Sequence, residues 1–128
     1  MKPSTVEWIE KAEDDWKMAQ RAYRARKDPV YDAACFHCQQ CLEKYLKAKL
    51  NEAEVFFFKT HKLEDLLDDV LPIESAWVPL RPVLARLTKY AVLYRYPGYH
   101  ATKSEAKAVL ADCRAVRRVI RTRFGLPV

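Results

Sequence analysis

An arginine and a histidine, separated by four residues, are the side chains of this sequence best suited to chemistry. Arg95 and His100 stand at the two ends of the stretch Arg-Tyr-Pro-Gly-Tyr-His. A guanidinium is always cationic and an imidazole titrates near neutral pH, so the pair can hold a phosphate and move a proton on a neighbouring hydroxyl. Pro97 biases the residue before it out of the helical region, and Gly98 permits a tight turn. The chain can therefore fold His100 back towards Arg95. In the alternative interpretation, Arg95 only caps the last carbonyls of a helix.

The composition predicts one all-α domain that spans residues 1–128. A chain of 128 residues is long enough to bury a real core. Only two residues are glycine, and long stretches are rich in Ala, Leu, Glu, Lys and Arg, as is typical of helices. No apolar run approaches the roughly 20 residues that span a bilayer, and no signal-peptide pattern is visible. We therefore expect a cytoplasmic protein with no membrane partner.

Hydrophobic periodicity predicts an up-and-down bundle of four long helices and one short helix. The predicted helices run from Ser4 to Lys27, Val30 to Ala53, Thr60 to Pro72, Val78 to Tyr96 and Thr102 to Gly125. Thr102 and Glu105 form a capping-box pattern at the start of the last helix. His100 is thus expected in the turn before that helix, whose positive N-terminal end suits an anion.

The predicted site consists of the residues in and around this turn. The catalytic candidates are Arg95 and His100. The candidates for binding a nucleotide or phosphate are Arg95, Tyr96, Tyr99, Thr102 and Lys103.

Three of the four cysteines lie within the second predicted helix, with His37 between them. Structural zinc sites place a cysteine pair on a knuckle and further ligands some distance away, which this pattern does not match. Cys35 and Cys38 fall on the apolar stripe, where a free cysteine behaves as a small hydrophobe. We therefore predict core packing, reduced thiols, no metal site and no cofactor.

Positive charge is concentrated near the C-terminus. The formal net charge is +6, and no acidic residue follows Asp112. Five arginines follow instead: Arg114, Arg117, Arg118, Arg121 and Arg123. Such a segment suits an anionic partner, with nucleic acid the usual candidate. Arginines in the last turns of a helix also complement the macrodipole without any ligand, so both interpretations stay open.

Three stretches together resemble HEPN domains (higher eukaryotes and prokaryotes nucleotide-binding). Residues 33–48 read Ala-Ala-Cys-Phe-His-Cys-Gln-Gln-Cys-Leu-Glu-Lys-Tyr-Leu-Lys-Ala, which is similar to the family's second-helix signature. Residues 60–63 read Thr-His-Lys-Leu, and residues 95–97 read Arg-Tyr-Pro. These motifs fall in the family's order and spacing, and the resemblance extends from about Val6 to Val119.

The resemblance implies a metal-independent RNA endonuclease of the toxin–antitoxin type that acts as a homodimer. Many HEPN domains carry an arginine, four to six residues and a histidine, and two copies meet across a cleft. His100 would then act as general base or acid, and Arg95 would stabilise the phosphorane-like transition state. The residue after the arginine is typically polar in such nucleases, whereas here it is Tyr96, followed by Pro97. The alternative is a non-catalytic module that binds a nucleotide or docks a minimal nucleotidyltransferase partner.

The second predicted helix also motivates the expected homodimer. Phe36 lies far from the apolar stripe, beside Gln39, Gln40 and Glu43. A helix with a half-polar second face is either central in a bundle or at a subunit interface. We therefore expect a second copy of the chain as a partner, in addition to RNA or a nucleotide and a possible minimal nucleotidyltransferase.

Overall fold

The structure is a computed structural model that describes residues 1–128, and every regular element in it is a helix. These elements are α1 (Pro3–Arg24), α2 (Tyr31–Glu52), α3 (Leu63–Val70), a 3₁₀ helix (Ser75–Leu80), α4 (Arg81–Leu87), α5 (Tyr90–Leu93) and α6 (Lys103–Phe124). The predicted all-α bundle is confirmed. None of the helices is long and apolar enough to cross a membrane.

Helix α2 lies at the centre of the bundle and contacts α1, α3, α5 and α6. One side of it carries fully buried core residues: Cys38, Cys41, Leu42, Tyr45 and Leu46. The half-polar side is covered as well, since Gln39 is fully buried and Glu43 is 4% exposed. Of the two interpretations of this helix, the central position in the bundle is the one observed.

The fourth predicted helix is helical but not continuous. It consists of the 3₁₀ helix, α4 and α5, with a break at Thr88 and Lys89. The Thr88 hydroxyl donates to Glu64 Oε1 over 2.6 Å and accepts from the Leu63 backbone N–H over 3.0 Å. A threonine whose side chain bonds to other backbone or side-chain groups disturbs the helix that carries it. Thr88 thereby caps the start of α3, and the ladder of its own segment tightens to i→i−3 bonds at Ala91 and Val92.

The ends of α6 follow the sequence signals closely. Thr102 is the N-cap, and its Oγ1 accepts a 3.0 Å hydrogen bond from the Glu105 N–H. Gly125 ends the helix with φ of 74°, in the left-handed region that glycine enters at no steric cost.

All four cysteines are buried and free, as predicted for core packing. Burial, with the nearby carboxylates of Glu105 and Asp32, raises the pKa of the Cys35 thiol to about 12. No group of three or more His, Cys, Asp or Glu side chains is arranged to hold a metal ion. The cysteines therefore serve as small apolar residues between the helices.

Candidate functional site

The turn between α5 and α6 carries both catalytic candidates. Beyond α5 the chain continues in tight turns, with the Arg95 N–H bonded to the Val92 carbonyl over 3.0 Å. Gly98 then adopts a φ of 88°, and an added Cβ would meet no atom there. The need for glycine at this position is thus a matter of backbone conformation and not of space. The Pro-Gly turn expected from the sequence is present.

Arg95 is exposed and its guanidinium has no partner within the chain. It forms no ion pair and no side-chain hydrogen bond, although twelve ion pairs occur elsewhere in the structure. In particular, it donates to none of the carbonyls that end α5. The interpretation of Arg95 as a helix cap is therefore wrong, and all five guanidinium donors are free to bind an anion.

His100 has a carboxylate beside its ring that the sequence did not reveal. Asp32, in the first turn of α2, accepts a 2.5 Å hydrogen bond from the Ala101 N–H through Oδ1. Its Oδ2 lies 3.7 Å from His100 Nδ1, close enough for an ion pair but too far for a hydrogen bond. The imidazole itself is 87% exposed. Asp32 thus lies on the Nδ1 side of the ring and leaves the Nε2 side open to a substrate.

Arg95 and His100 lie in one turn but form no hydrogen bond with each other within the chain. A cavity of about 250 Å³ beside the imidazole is lined by Pro29, Val30, Tyr31, Asp32, His100 and Ala101, and Arg95 is not among its walls. Five residue steps limit the separation of their Cα atoms to roughly 17–18 Å. A phosphodiester can therefore contact both side chains only if they turn towards it or if a second chain completes the cleft.

Tyr99 has its hydroxyl committed to Glu105, in the first turn of α6. Tyr90 and Tyr99 both donate a hydrogen bond to Glu105 Oε2, and the bond from the Tyr90 hydroxyl is 2.5 Å long. Partial burial alone would raise the pKa of Glu105, but the two phenol hydrogen bonds hold that pKa below its usual value. Burial and the same carboxylate raise the pKa of both phenols. The three side chains tie the turn to α5 and α6, so Tyr99 shapes the site in place of offering its hydroxyl to a phosphate.

The remaining predicted phosphate ligands lie on the exposed side of the turn and the first turn of α6. Tyr96 is 61% exposed, and both Thr102 and Lys103 are exposed. The Thr102 Oγ1 accepts the capping hydrogen bond and still has its own proton to donate. Lys103 has no ion-pair partner and stands where the α6 dipole is positive.

Two of the motifs quoted for the family resemblance meet in a polar network that is buried at Gln39, Glu43 and Lys47 and exposed at His61. His61 Nδ1 lies 2.9 Å from Glu43 Oε1, and the Gln39 side chain donates to the His61 carbonyl over 2.9 Å. Lys47 completes the network with a 3.0 Å ion pair to Glu43 Oε2. Buried polar groups satisfied in this way fix how elements pack. The network joins α2 to the start of α3, so these motifs are structural.

Comparison with known proteins identifies the family. Residues 5–123 match the HEPN domain. The chain belongs to the HEPN family. Among its relatives, a protein of Methanocaldococcus jannaschii named "Putative toxin MJ1304" is 28% identical over 131 aligned positions, which cover 89% of this chain and 84% of the relative.

Two solved structures share the bundle of this HEPN protein. TT1696 from Thermus thermophilus superposes with a TM-score of 0.80 at 25% identity, covering 92% of this chain and 96% of that chain. ST0689, described as an archaeal HEPN homologue, superposes with a TM-score of 0.73 at 24% identity, covering 96% and 98%. The second likeness shows the fold alone, which agrees with the family assignment.

Proposed function

We propose that this HEPN protein is a metal-independent RNA endonuclease of the toxin type. The observation that carries the proposal is the pairing, in one turn, of an unpartnered Arg95 guanidinium with an exposed His100 imidazole backed by Asp32. The relative named as a toxin supports the biological class. The cation would bind the phosphate, and the imidazole would transfer protons.

The proposed reaction is a transesterification. His100 Nε2 takes the proton of a ribose 2′-hydroxyl, and the 2′-oxygen forms a bond to phosphorus. The bond from phosphorus to the 5′-oxygen breaks, and that oxygen leaves with a proton. The products are a 2′,3′-cyclic phosphate and a 5′-hydroxyl. Arg95 stabilises the extra negative charge on the phosphoryl oxygens in the transition state.

A second copy of the chain would supply the acid that protonates the leaving oxygen. Each chain offers one exposed imidazole at this turn, whereas the reaction needs both a base and an acid. Exposed apolar side chains beside Arg95 are suited to an interface: Val92 is 44% exposed, Tyr94 47% and Tyr96 61%. A homodimer built on this surface would bring two copies of the Arg95–His100 turn together.

The experiment that tests the proposal is an RNA cleavage assay with purified protein, structured RNA and a chelator. We expect His100→Ala and Arg95→Ala each to lower the rate roughly 100-fold or more, because each removes a group that acts in the transition state. Arg26→Ala is the matched control, since Arg26 is also exposed and unpaired but lies in the α1–α2 connection. Equal rates for His100→Ala and the wild type would refute the proposal.

Tyr96 and Pro97 favour a second candidate, a non-catalytic module that docks a minimal nucleotidyltransferase or holds a nucleotide. Tyr96 is the most exposed aromatic side chain of the turn and stands where the nucleases usually carry a polar residue. Under this alternative, Arg95→Ala weakens the binding of a nucleotide or polyanion and His100→Ala does not. Absence of RNA cleavage combined with that binding pattern would favour the module over the nuclease.

A further inference from the structure

The five C-terminal arginines, ambiguous in the sequence, separate into two groups in the structure. Arg117, Arg121 and Arg123 are paired with carboxylates of other elements. Arg117 forms a bidentate pair with Glu13, at 2.8 Å from Nε and 2.6 Å from Nη2. Arg114 and Arg118 are exposed and have no carboxylate partner. The paired arginines hold α6 against α1 and the 3₁₀ region, so only the second group is free for a ligand.

The unpaired cations of α6 lie along one side of that helix. Four side chains lie about 80–140° round the helix axis from the buried Cys113, all in the same direction: Lys103, Lys107, Arg114 and Arg118. The two acidic residues of α6, Glu105 and Asp112, are about 80–100° round in the opposite sense. Those two are also engaged, with Tyr90 and Tyr99 for the first and Arg86 for the second. We call Lys103, Lys107, Arg114 and Arg118 the α6 basic flank.

A groove between α1 and α6 forms the distal end of the α6 basic flank. Its volume is about 360 Å³, and it is lined by Trp16, Gln20, Arg114, Arg117, Arg118 and Val128. The guanidinium carbons of Arg114 and Arg117 lie 5.4 and 5.6 Å from the centre of the Trp16 ring. Stacking on an indole orients a guanidinium and keeps its N–H groups available.

Helix α1 contributes further cations to the same side. Lys17 and Arg24 are exposed and unpaired. They lie within about 100° of Trp16 round the axis of α1, in the same direction as Gln20. The one carboxylate between the helices, Glu13, is neutralised by Arg117 and Arg121, which help to keep its pKa low. Of the other acids of α1, Glu7, Glu10 and Asp14 lie about 120–180° from Trp16, and Asp15 is paired with His37 and Lys44 of α2.

We propose that the α6 basic flank binds the phosphate backbone of an RNA strand that extends from the Arg95–His100 turn to the Trp16 groove. The flank begins at Lys103, three residues after His100, and continues for about 22 Å to Arg118. It offers no exposed aromatic face for base stacking, because Trp16 is 6% exposed. Recognition would therefore be of phosphates and not of bases. The proposal takes RNA as the polyanion from the proposed function but concerns binding and not cleavage.

The test is binding of a labelled 2′-O-methyl RNA dodecamer, which cannot undergo the transesterification, at several salt concentrations. We expect Arg114→Gln/Arg118→Gln to weaken binding on the order of 10-fold at 0.1 M salt. The slope of log K against log salt should become shallower by about 1.4, since each lost phosphate contact on a single strand contributes about 0.7. Lys59→Gln/Lys62→Gln is the matched control, with the same change of charge on exposed, unpaired residues before α3.

The outcomes separate this proposal from the nuclease proposal. Unchanged affinity and slope in Arg114→Gln/Arg118→Gln would overturn the α6 basic flank, whether or not the wild type cleaves RNA. Weaker binding with the shallower slope supports it, even if the wild type cleaves nothing. If poly-glutamate of equal charge competes for the site as effectively as unlabelled RNA does, the proposal is also overturned, because the flank would then be a site for acidic proteins.

Discussion

At the scale of single residues, Asp32 is the position that makes His100 more than an exposed imidazole. Its carboxylate bonds to the Ala101 backbone, which holds the turn, and its other oxygen faces Nδ1 of the ring over 3.7 Å. An acidic group that faces a histidine stabilises the imidazolium that forms when the ring accepts a proton. We therefore regard Asp32 as a positioning residue of the proposed site.

Asp32→Asn should separate this role from a structural one. The amide oxygen can still accept the Ala101 hydrogen bond, but the charge opposite His100 is lost. We expect kcat for RNA cleavage to fall roughly 10-fold or more with KM nearly unchanged, since the phosphate is bound elsewhere. Asp69→Asn is the control, because Asp69 is an exposed, unpaired acid in α3. A loss of the same size in both variants, or a change in KM alone, would contradict the assignment.

The sequence indicated Arg95 and His100 but not Asp32, for a physical reason. The Arg95–His100 motif is local, and Pro97 and Gly98 reveal its turn. Asp32 precedes His100 by 68 positions. In the sequence it is indistinguishable from any acid in the first turn of a helix, where a negative charge interacts favourably with the helix macrodipole. Only the packing of α2 against the start of α6 brings it to the imidazole. Likewise, nothing local showed that the Tyr99 hydroxyl would bond to Glu105.

At the scale of elements, Thr88 links the start of α3 to the segment that contains α4 and α5, which the sequence predicts as two separate helices. Its Oγ1 caps α3 through the Leu63 N–H and bonds to Glu64, while its own segment is interrupted. Periodicity predicted a continuous helix from Val78 to Tyr96 because the apolar stripe continues across the break. An apolar stripe indicates which side of a helix is buried, but it does not show whether each backbone hydrogen bond forms. The break at Thr88 could therefore not be predicted from the periodicity.

Thr88→Val should cost about 1–3 kcal/mol in the free energy of unfolding, since it removes the acceptor of the Leu63 N–H and a hydrogen bond to a carboxylate while keeping the side-chain shape. Urea unfolding of the two proteins measures the difference. Thr122→Val is the control: Thr122 is exposed on α6 and makes no side-chain hydrogen bond. Similar unfolding free energies for Thr88→Val and Thr122→Val would show that the cap contributes nothing.

The Tyr90–Tyr99–Glu105 contact predicts a pH dependence of stability. The Glu105 pKa is lowered in the folded protein from an ordinary value of 4.5. Its contribution is therefore fully present above about pH 4.5 and is lost as pH falls through the lower, folded pKa. Glu105→Gln should be about 1–2 kcal/mol less stable at neutral pH.

Urea unfolding at pH 7 and at stepwise lower pH gives the measurement. The gap between the wild type and Glu105→Gln should narrow below about pH 4.5. Glu13 and Glu74 also have lowered pKa values, but they titrate in both proteins and cancel in the difference. A gap that stays constant from neutral to acid pH would rule out a linked ionisation of Glu105.

At the scale of the whole molecule, the homodimer stays a prediction, but a different surface now motivates it. Phe36, which first suggested it, stacks on Tyr94 with ring centres 5.2 Å apart, and the half-polar side of α2 is covered within the chain. The surface that now motivates a dimer is the exposed apolar group beside the turn, formed by Val92, Tyr94 and Tyr96. Association there would complete the acid and base of the proposed reaction.

Light scattering at micromolar concentration should give twice the chain mass of 15.0 kDa. Val92→Glu places a charge in the proposed interface and should yield the monomer, because an unpaired charge is costly to bury. Val119→Glu, on an exposed position of α6 away from the turn, should remain dimeric. A wild-type monomer, or a Val92→Glu dimer, would contradict this interface.

The most direct test of the central claim is removal of one 2′-hydroxyl at a mapped cleavage site in RNA, with a chelator present. If His100 and Arg95 carry out transesterification, a 2′-O-methyl group on the nucleotide 5′ of the scissile phosphate abolishes that cut and leaves the other cuts unchanged. The unmodified site should give 2′,3′-cyclic phosphate and 5′-hydroxyl ends, and His100→Ala should give neither. A cut that survives the 2′-O-methyl group, or products with 5′-phosphate ends, would contradict the proposed function.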